Sequence, residues 1–140
     1  MRRNSTKKAF TIIELMVVIT IIGILASLVA PKFMGKLESA KVKTTKAQMQ
    51  MFSTALDSFN LDVGRYPTDS EGLAVLWTKT KDIRSYDGPY LPKPVAEDAW
   101  GNPYLYKTTS DDNAYDIISY GKDGKEGGED TAKDLSIWDH

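Results

Sequence analysis

The sequence predicts an α+β fold in which one long N-terminal helix, apolar in its first half, packs through its second half on a small antiparallel sheet. Three observations carry that expectation. Residues Phe10 to Ala30 form a 21-residue apolar run interrupted by one charge, Glu14. Beyond Pro31, apolar residues recur at helical spacings as far as Val63. Tyr104-Leu105-Tyr106-Lys107 and Tyr115-Asp116-Ile117-Ile118-Ser119-Tyr120 then alternate with the period of two that marks half-buried strands.

The 140 residues suffice for one small domain besides the apolar run. With no cysteine there is no disulfide framework, thiolate nucleophile or Cys-based zinc site. The one histidine, His140, is the last residue, which argues against a His-dependent triad. Eighteen basic and 19 acidic side chains give a formal charge of −1, so the electrostatic signature of a nucleic-acid binder is missing. No nucleophile–base constellation or Gly-rich phosphate loop points to an enzyme.

The first element is the apolar run. A helix of about 20 apolar residues spans the roughly 30 Å hydrocarbon layer. Being apolar on all faces, it suits lipid or the centre of a helical assembly better than one side of a globular domain. A secretory signal peptide fits less well. Its apolar region covers only ~7–15 residues and ends at a small-residue cleavage site, whereas here Ala30 is followed by Pro31.

Glu14 requires a reason, because a charge in the bilayer core costs at least ~2.5–3.5 kcal/mol and intramembrane carboxylates usually have a partner. No basic residue lies between Phe10 and Ala30. A cut before Phe10 would create an α-ammonium there, and Glu14 of one subunit would then neutralise the Phe10 ammonium of a neighbour. The alternative is a Glu14 protonated or solvated near the interface.

Lys8-Ala9-Phe10-Thr11-Ile12-Ile13-Glu14, with the basic leader residues Arg2, Arg3 and Lys7 before it, resembles the processing motif of type IV prepilins. The resemblance implies cleavage between Ala9 and Phe10 by a prepilin peptidase and N-methylation of Phe10. Ala9 stands where that family normally has Gly. The basic residues do not set orientation: four precede the span, and Lys32, Lys36, Lys41, Lys43 and Lys46 come after it. The resemblance places the leader, residues 1–9, in the cytoplasm, residues 10–31 in the membrane or assembly helix, and residues 32–140 outside.

Pro31 is expected to interrupt or kink the helix, with Gly23 a second weak point. After it, Phe33, Leu37, Ala40, Ala47, Met51, Ala55 and Phe59, widened by Phe52 and Leu56, form an apolar stripe that Gly64 ends. This stripe is expected to be the core seam. Thr68 and Glu71, three apart, form a capping-box pattern ahead of a short helix at Gly72–Trp77. A Pro- and Gly-rich loop runs from about Lys79 to Pro103, and Ser110–Asn113 turns the chain between the two strands. Two strands alone are marginal, so they must pack on the helix.

Tyr66-Pro67-Thr68, Glu71-Gly72-Leu73, Asp98-Ala99-Trp100-Gly101-Asn102-Pro103-Tyr104 and Tyr120-Gly121-Lys122-Asp123-Gly124 resemble the major pseudopilin family of type II secretion systems. The Trp100–Pro103 stretch itself reads as a turn with a buried aromatic. The resemblance implies a type IV pilin-like fold and a structural role. The chain would be the major subunit of a periplasmic pseudopilus that drives folded exoproteins across the outer membrane. It also implies partners: further copies of the chain, minor pseudopilins, the prepilin peptidase, an inner-membrane assembly platform, and the membrane before polymerisation. The nearest alternative is a type IV pilin for adhesion, motility or DNA uptake.

The C-terminal segment Tyr120–Asp139 carries Asp123, Glu126, Glu129, Asp130, Asp134 and Asp139 among four glycines. By composition it reads as a solvated loop or as a hard-oxygen cation site. Ca2+ takes about 6–8 oxygens in flexible geometry, and the His or Cys ligands of zinc or copper are lacking. The pseudopilin resemblance implies a structural Ca2+, with Asp123 and Asp134 as carboxylate ligands and Tyr120 and Lys125 as carbonyl donors. Asp130 is a further, more variable position. Leu135 and Trp138 would anchor the loop to the core.

Overall fold

The computed structural model describes residues 7–95 and 97–139. Arg2 and Arg3 of the expected leader, and His140, lie outside them. Helix α1 runs Ile12–Val63, 52 residues, and Pro31 lies within it. The expected interruption at Pro31 therefore does not end the helix. A proline deletes one backbone hydrogen bond, and the helix runs on past that single loss. The helix stops where Gly64 takes a left-handed conformation, φ +83°, and donates its N–H to the Asn60 carbonyl at 2.8 Å. That is the usual glycine C-terminal cap.

The chain divides into two compact units between Leu37 and Glu38. The first consists of the apolar half of α1, long and apolar enough to cross a membrane. Its large side chains are exposed, among them Ile12, Ile19, Leu28 and Phe33.

In the second unit the rest of α1 packs on a three-stranded antiparallel sheet of order β1-β2-β3. Strand β1 is Leu105–Thr108, β2 is Tyr115–Ser119 and β3 is Leu135–Ser136. Register sets Tyr106 opposite Ile117 and Ser119 opposite Leu135. Tyr115, Ile117 and Ser119 of β2 point inward, the alternation expected of a one-sided sheet. Strand β3 is an addition to the two expected strands, because two residues are too few to leave a periodic signal.

The buried seam of α1 is Thr45, Met49, Phe52, Ala55, Leu56 and Phe59. Phe52, Ala55, Leu56 and Phe59 of the expected stripe are buried, whereas its other members are not: Ala40 and Ala47 are exposed, as are Phe33, Leu37 and Met51. Burying Met49 beside Phe52 and Leu56 removes more apolar area from water than burying Ala40 and Ala47 would. Phe52 meets Tyr104 edge-on at 5.0 Å between ring centres, and Phe59 meets Tyr90 at 5.7 Å.

The capping box forms as expected. Thr68 N–H donates to Glu71 Oε2 at 2.7 Å and Glu71 N–H to Thr68 Oγ1 at 3.3 Å. The element it introduces is a short 3-10 turn, Leu73–Leu76, rather than an α-helix. Side chains hold the loop beyond that turn. Tyr86 donates its hydroxyl to the Val75 carbonyl at 2.8 Å, and Tyr90 donates its own to Asp62 Oδ2 at 2.8 Å.

Candidate functional site

The N-terminal site is a stretch of one helix end. Phe10 is 83% exposed, and it lines a shallow open cavity with Lys8, Ala9, Ile13 and Glu14. Glu14 occupies the first turn of α1. It accepts the Thr11 N–H at 3.1 Å, and Thr11 Oγ1 accepts the Glu14 N–H at 3.1 Å. This is a second capping box, and it satisfies two otherwise orphaned amides. Reading the span only for charge overlooks Thr11, although the Thr11-x-x-Glu14 spacing is the signal that marks it. The Glu14 carboxylate thus has a neutral partner within its own chain, the Thr11 N–H, and no cation.

The C-terminal site lies on two 3-10 turns, Gly121–Asp123 and Asp130–Ala132. The turns pack against each other closely: a Cβ built on Gly121 would lie 2.9 Å from the Lys133 carbonyl oxygen. Tyr120 caps the first turn. Asp123 Oδ1 accepts the Lys125 N–H at 3.1 Å, and Asp134 Oδ2 accepts the Gly127 N–H at 2.9 Å. Asp130 opens the second turn with φ +51° and an exposed side chain.

Among the described residues no three acidic or His side chains converge as a metal-binding group. Any cation here must therefore draw on carbonyls as well as carboxylates. Asp134 Oδ1 is enclosed and has no hydrogen-bond partner among the described residues. An enclosed carboxylate oxygen without a partner is costly, and a hard cation would satisfy it. The donor set thus fits Ca2+.

The loop is tied to the core at both ends. Leu135 is buried in the core cluster. Trp138 donates its indole N–H to the Tyr115 carbonyl at 2.8 Å and leans on the Tyr115 ring at 5.7 Å. Near its start, Lys122 Nζ stands 3.7 Å from Glu38. Glu38 is only 8% exposed and accepts the Trp100 indole N–H at 2.9 Å. That hydrogen bond chiefly holds the Glu38 carboxyl below its ordinary range, against burial and with help from Lys122 and Lys41. No pattern in the sequence marks Glu38, because a lone acid among lysines looks like solvated surface.

Residues 32–138 match the family described as "Type II secretion system (T2SS), protein G". The chain belongs to the protein G family of type II secretion systems. The protein G domain is preceded by a match to the prokaryotic N-terminal methylation motif over residues 4–30. Core protein G of Pseudomonas aeruginosa is 38% identical over 137 residues, covering 96% of each chain. That of Aeromonas hydrophila is 42% identical over 141 residues, covering 98% of this chain and 94% of the relative. Among solved structures, the major pseudopilin from the type 2 secretion system of enterohaemorrhagic Escherichia coli superposes with a TM-score of 0.61. It is 31% identical, covering 75% of this chain and 92% of that one.

Proposed function

We propose that this chain is the major structural subunit of a pseudopilus, polymerising in the periplasm to drive folded exoproteins across the outer membrane. The single observation that carries this reading is an exposed apolar helix with one carboxylate, Glu14, four residues after Phe10, on a protein G domain. In this reading the chain is held in the inner membrane by residues 10–31. A prepilin peptidase cuts between Ala9 and Phe10, and Phe10 is N-methylated. With the leader the chain loses Arg2, Arg3, Lys7 and Lys8, taking its formal charge from −1 to −5.

The new Phe10 ammonium supplies the partner that Glu14 of a neighbouring copy needs in an apolar bundle. Head-to-tail addition by a screw operation gives an open helical polymer. An inner-membrane assembly platform would extract the subunits, and minor pseudopilins would join them in the filament. The loop after Tyr120 would hold Ca2+ through Asp123, Asp134 and the carbonyls of Tyr120 and Lys125, with Asp130 beside them. The ion would cross-link the two 3-10 turns in a chain without disulfides.

N-terminal mass spectrometry of the protein extracted from its native membrane tests this reading. A methylated Phe10 terminus is expected, and a mature chain still beginning at Met1 would overturn it. Glu14→Gln should leave that cleavage intact and abolish filaments in electron micrographs. Normal filaments would remove the charge-pairing step.

A further inference from the structure

We infer that Asn102 is a positioning residue for cation binding: its side-chain amide holds the Gly121–Gly124 turn in the shape the ion requires. The inference rests on the calcium reading of that loop.

Asn102 belongs to the turn that opens with Asp98. The Asp98 N–H donates to the Asn102 carbonyl at 2.8 Å, and the Gly101 N–H donates to the Asp98 carbonyl at 3.1 Å. Asp98, only 6% exposed, fixes this turn from within. Its Oδ1 accepts the Trp100 N–H at 3.0 Å and the Asn102 N–H at 2.9 Å. Its Oδ2 accepts the hydroxyl of the fully buried Ser119 at 2.5 Å.

The same network reaches the loop. Ser119 Oγ accepts the Gly121 N–H at 3.3 Å, and Asn102 Nδ2 donates to the Gly121 carbonyl at 2.8 Å. Asp98, Ser119, Gly121 and Asn102 thus close a ring of hydrogen bonds that uses both backbone groups of Gly121.

The other end of the loop turn meets the same amide. Gly124 has φ +65°, and a Cβ built on it would lie 2.8 Å from Asn102 Oδ1. One side chain therefore bonds the turn at Gly121 and packs closely against it at Gly124. Between and beside those glycines lie the expected donors: Tyr120 precedes Gly121, and Asp123 precedes Gly124. Gly121 also lies against the limb that carries Asp134, since its built Cβ would stand 3.1 Å from the Thr131 carbonyl oxygen. Holding Gly121 holds the two limbs in one spacing. Outer-shell groups that orient ligands in this way typically change metal affinity by about 10–100-fold when removed.

The test is a Ca2+ titration of the full chain in detergent micelles, with near-ultraviolet circular dichroism confirming that the metal-free protein is folded. Asn102→Ala should weaken Ca2+ affinity by about tenfold or more, and equal affinity in variant and wild type would overturn the inference. Should the variant not fold without metal, the wild type decides. Its Asn102 side-chain amide resonances should shift on adding Ca2+ and exchange more slowly, and resonances unchanged through saturation would overturn the inference. A wild type that binds no Ca2+ removes the calcium reading and this inference together. A wild type that binds, with a variant that binds equally, removes this inference alone.

Discussion

The two halves of α1 obey the same backbone rules and opposite surface rules. Up to Leu37 the large apolar side chains lie open, from 79% exposure at Ile12 to 40% at Leu37. Thr20 and Ser27 there turn their hydroxyls back onto the helix, to the Met16 and Ile24 carbonyls. After Glu38 the helix buries Met49, Phe52, Leu56 and Phe59, each at 1% exposure or less. The first half is complete as secondary structure and incomplete as a surface, which is what a lipid-spanning or polymer-forming helix must be. The second half has one face covered by its own sheet and aromatic loop, while Met51 and Leu61 stay open on the rest of its surface.

The sharpest way to break that contrast is to truncate one large side chain on each side of it. Phe59→Ala should cost about 3–5 kcal/mol, read as a large fall in the melting temperature of the full chain in detergent. Ile19→Ala in the open half should leave the melt of the globular unit unchanged. Equal effects would show that the halves are not independent.

A smaller effect sharpens the contrast within the globular unit, by asking whether a cation completes it. A ligand at a hundredfold excess over its Kd stabilises by about 2.7 kcal/mol. Adding Ca2+ to metal-free wild type should therefore raise the melting temperature. Asp134→Ala should abolish the rise, whereas a variant that still responds would remove Asp134 from the ligand set.

The smallest effect concerns the surface pair Arg65–Glu71, at 2.7 Å. Hydrogen bonding to Arg65, chiefly, holds the Glu71 carboxyl down to about 2 from its ordinary 4.5. A depressed carboxylate contributes stability that is full above the unfolded value and lost as pH falls through the folded one. The loss should therefore run between about pH 4.5 and 2. Arg65 is 44% exposed, so screening limits the pair to about 0.2–1 kcal/mol. Glu71→Gln should flatten acid melting curves in that window by no more than this amount.

Much of this is legible in the residues. The apolar run, the Gly64 stop, the Thr68–Glu71 box and the β1–β2 hairpin rest on interactions a few residues apart, which leave periodic or spaced signals. The short β3 leaves none, and neither does the ring through Asp98, Ser119, Gly121 and Asn102, whose members lie up to 23 positions apart. Spacing alone finds Phe52, Ala55, Leu56 and Phe59 but also admits Ala47 and Met51 and passes over Thr45 and Met49, because it does not say how far round the helix the cover extends.

By itself the order of amino acids determined that a long helix begins beside Phe10, that its first half seeks an apolar environment, and that its chain end carries a processing-type motif. These depend on local hydrogen bonding and on side-chain polarity summed along one segment. Only the tertiary structure decided which stripe of α1 is covered, that Glu38 answers to Trp100, and that a turn beginning at Asp98 grips the acidic loop. Those outcomes depend on which distant surfaces meet, and burial makes a hydrogen bond or a ring contact consequential only after they have met.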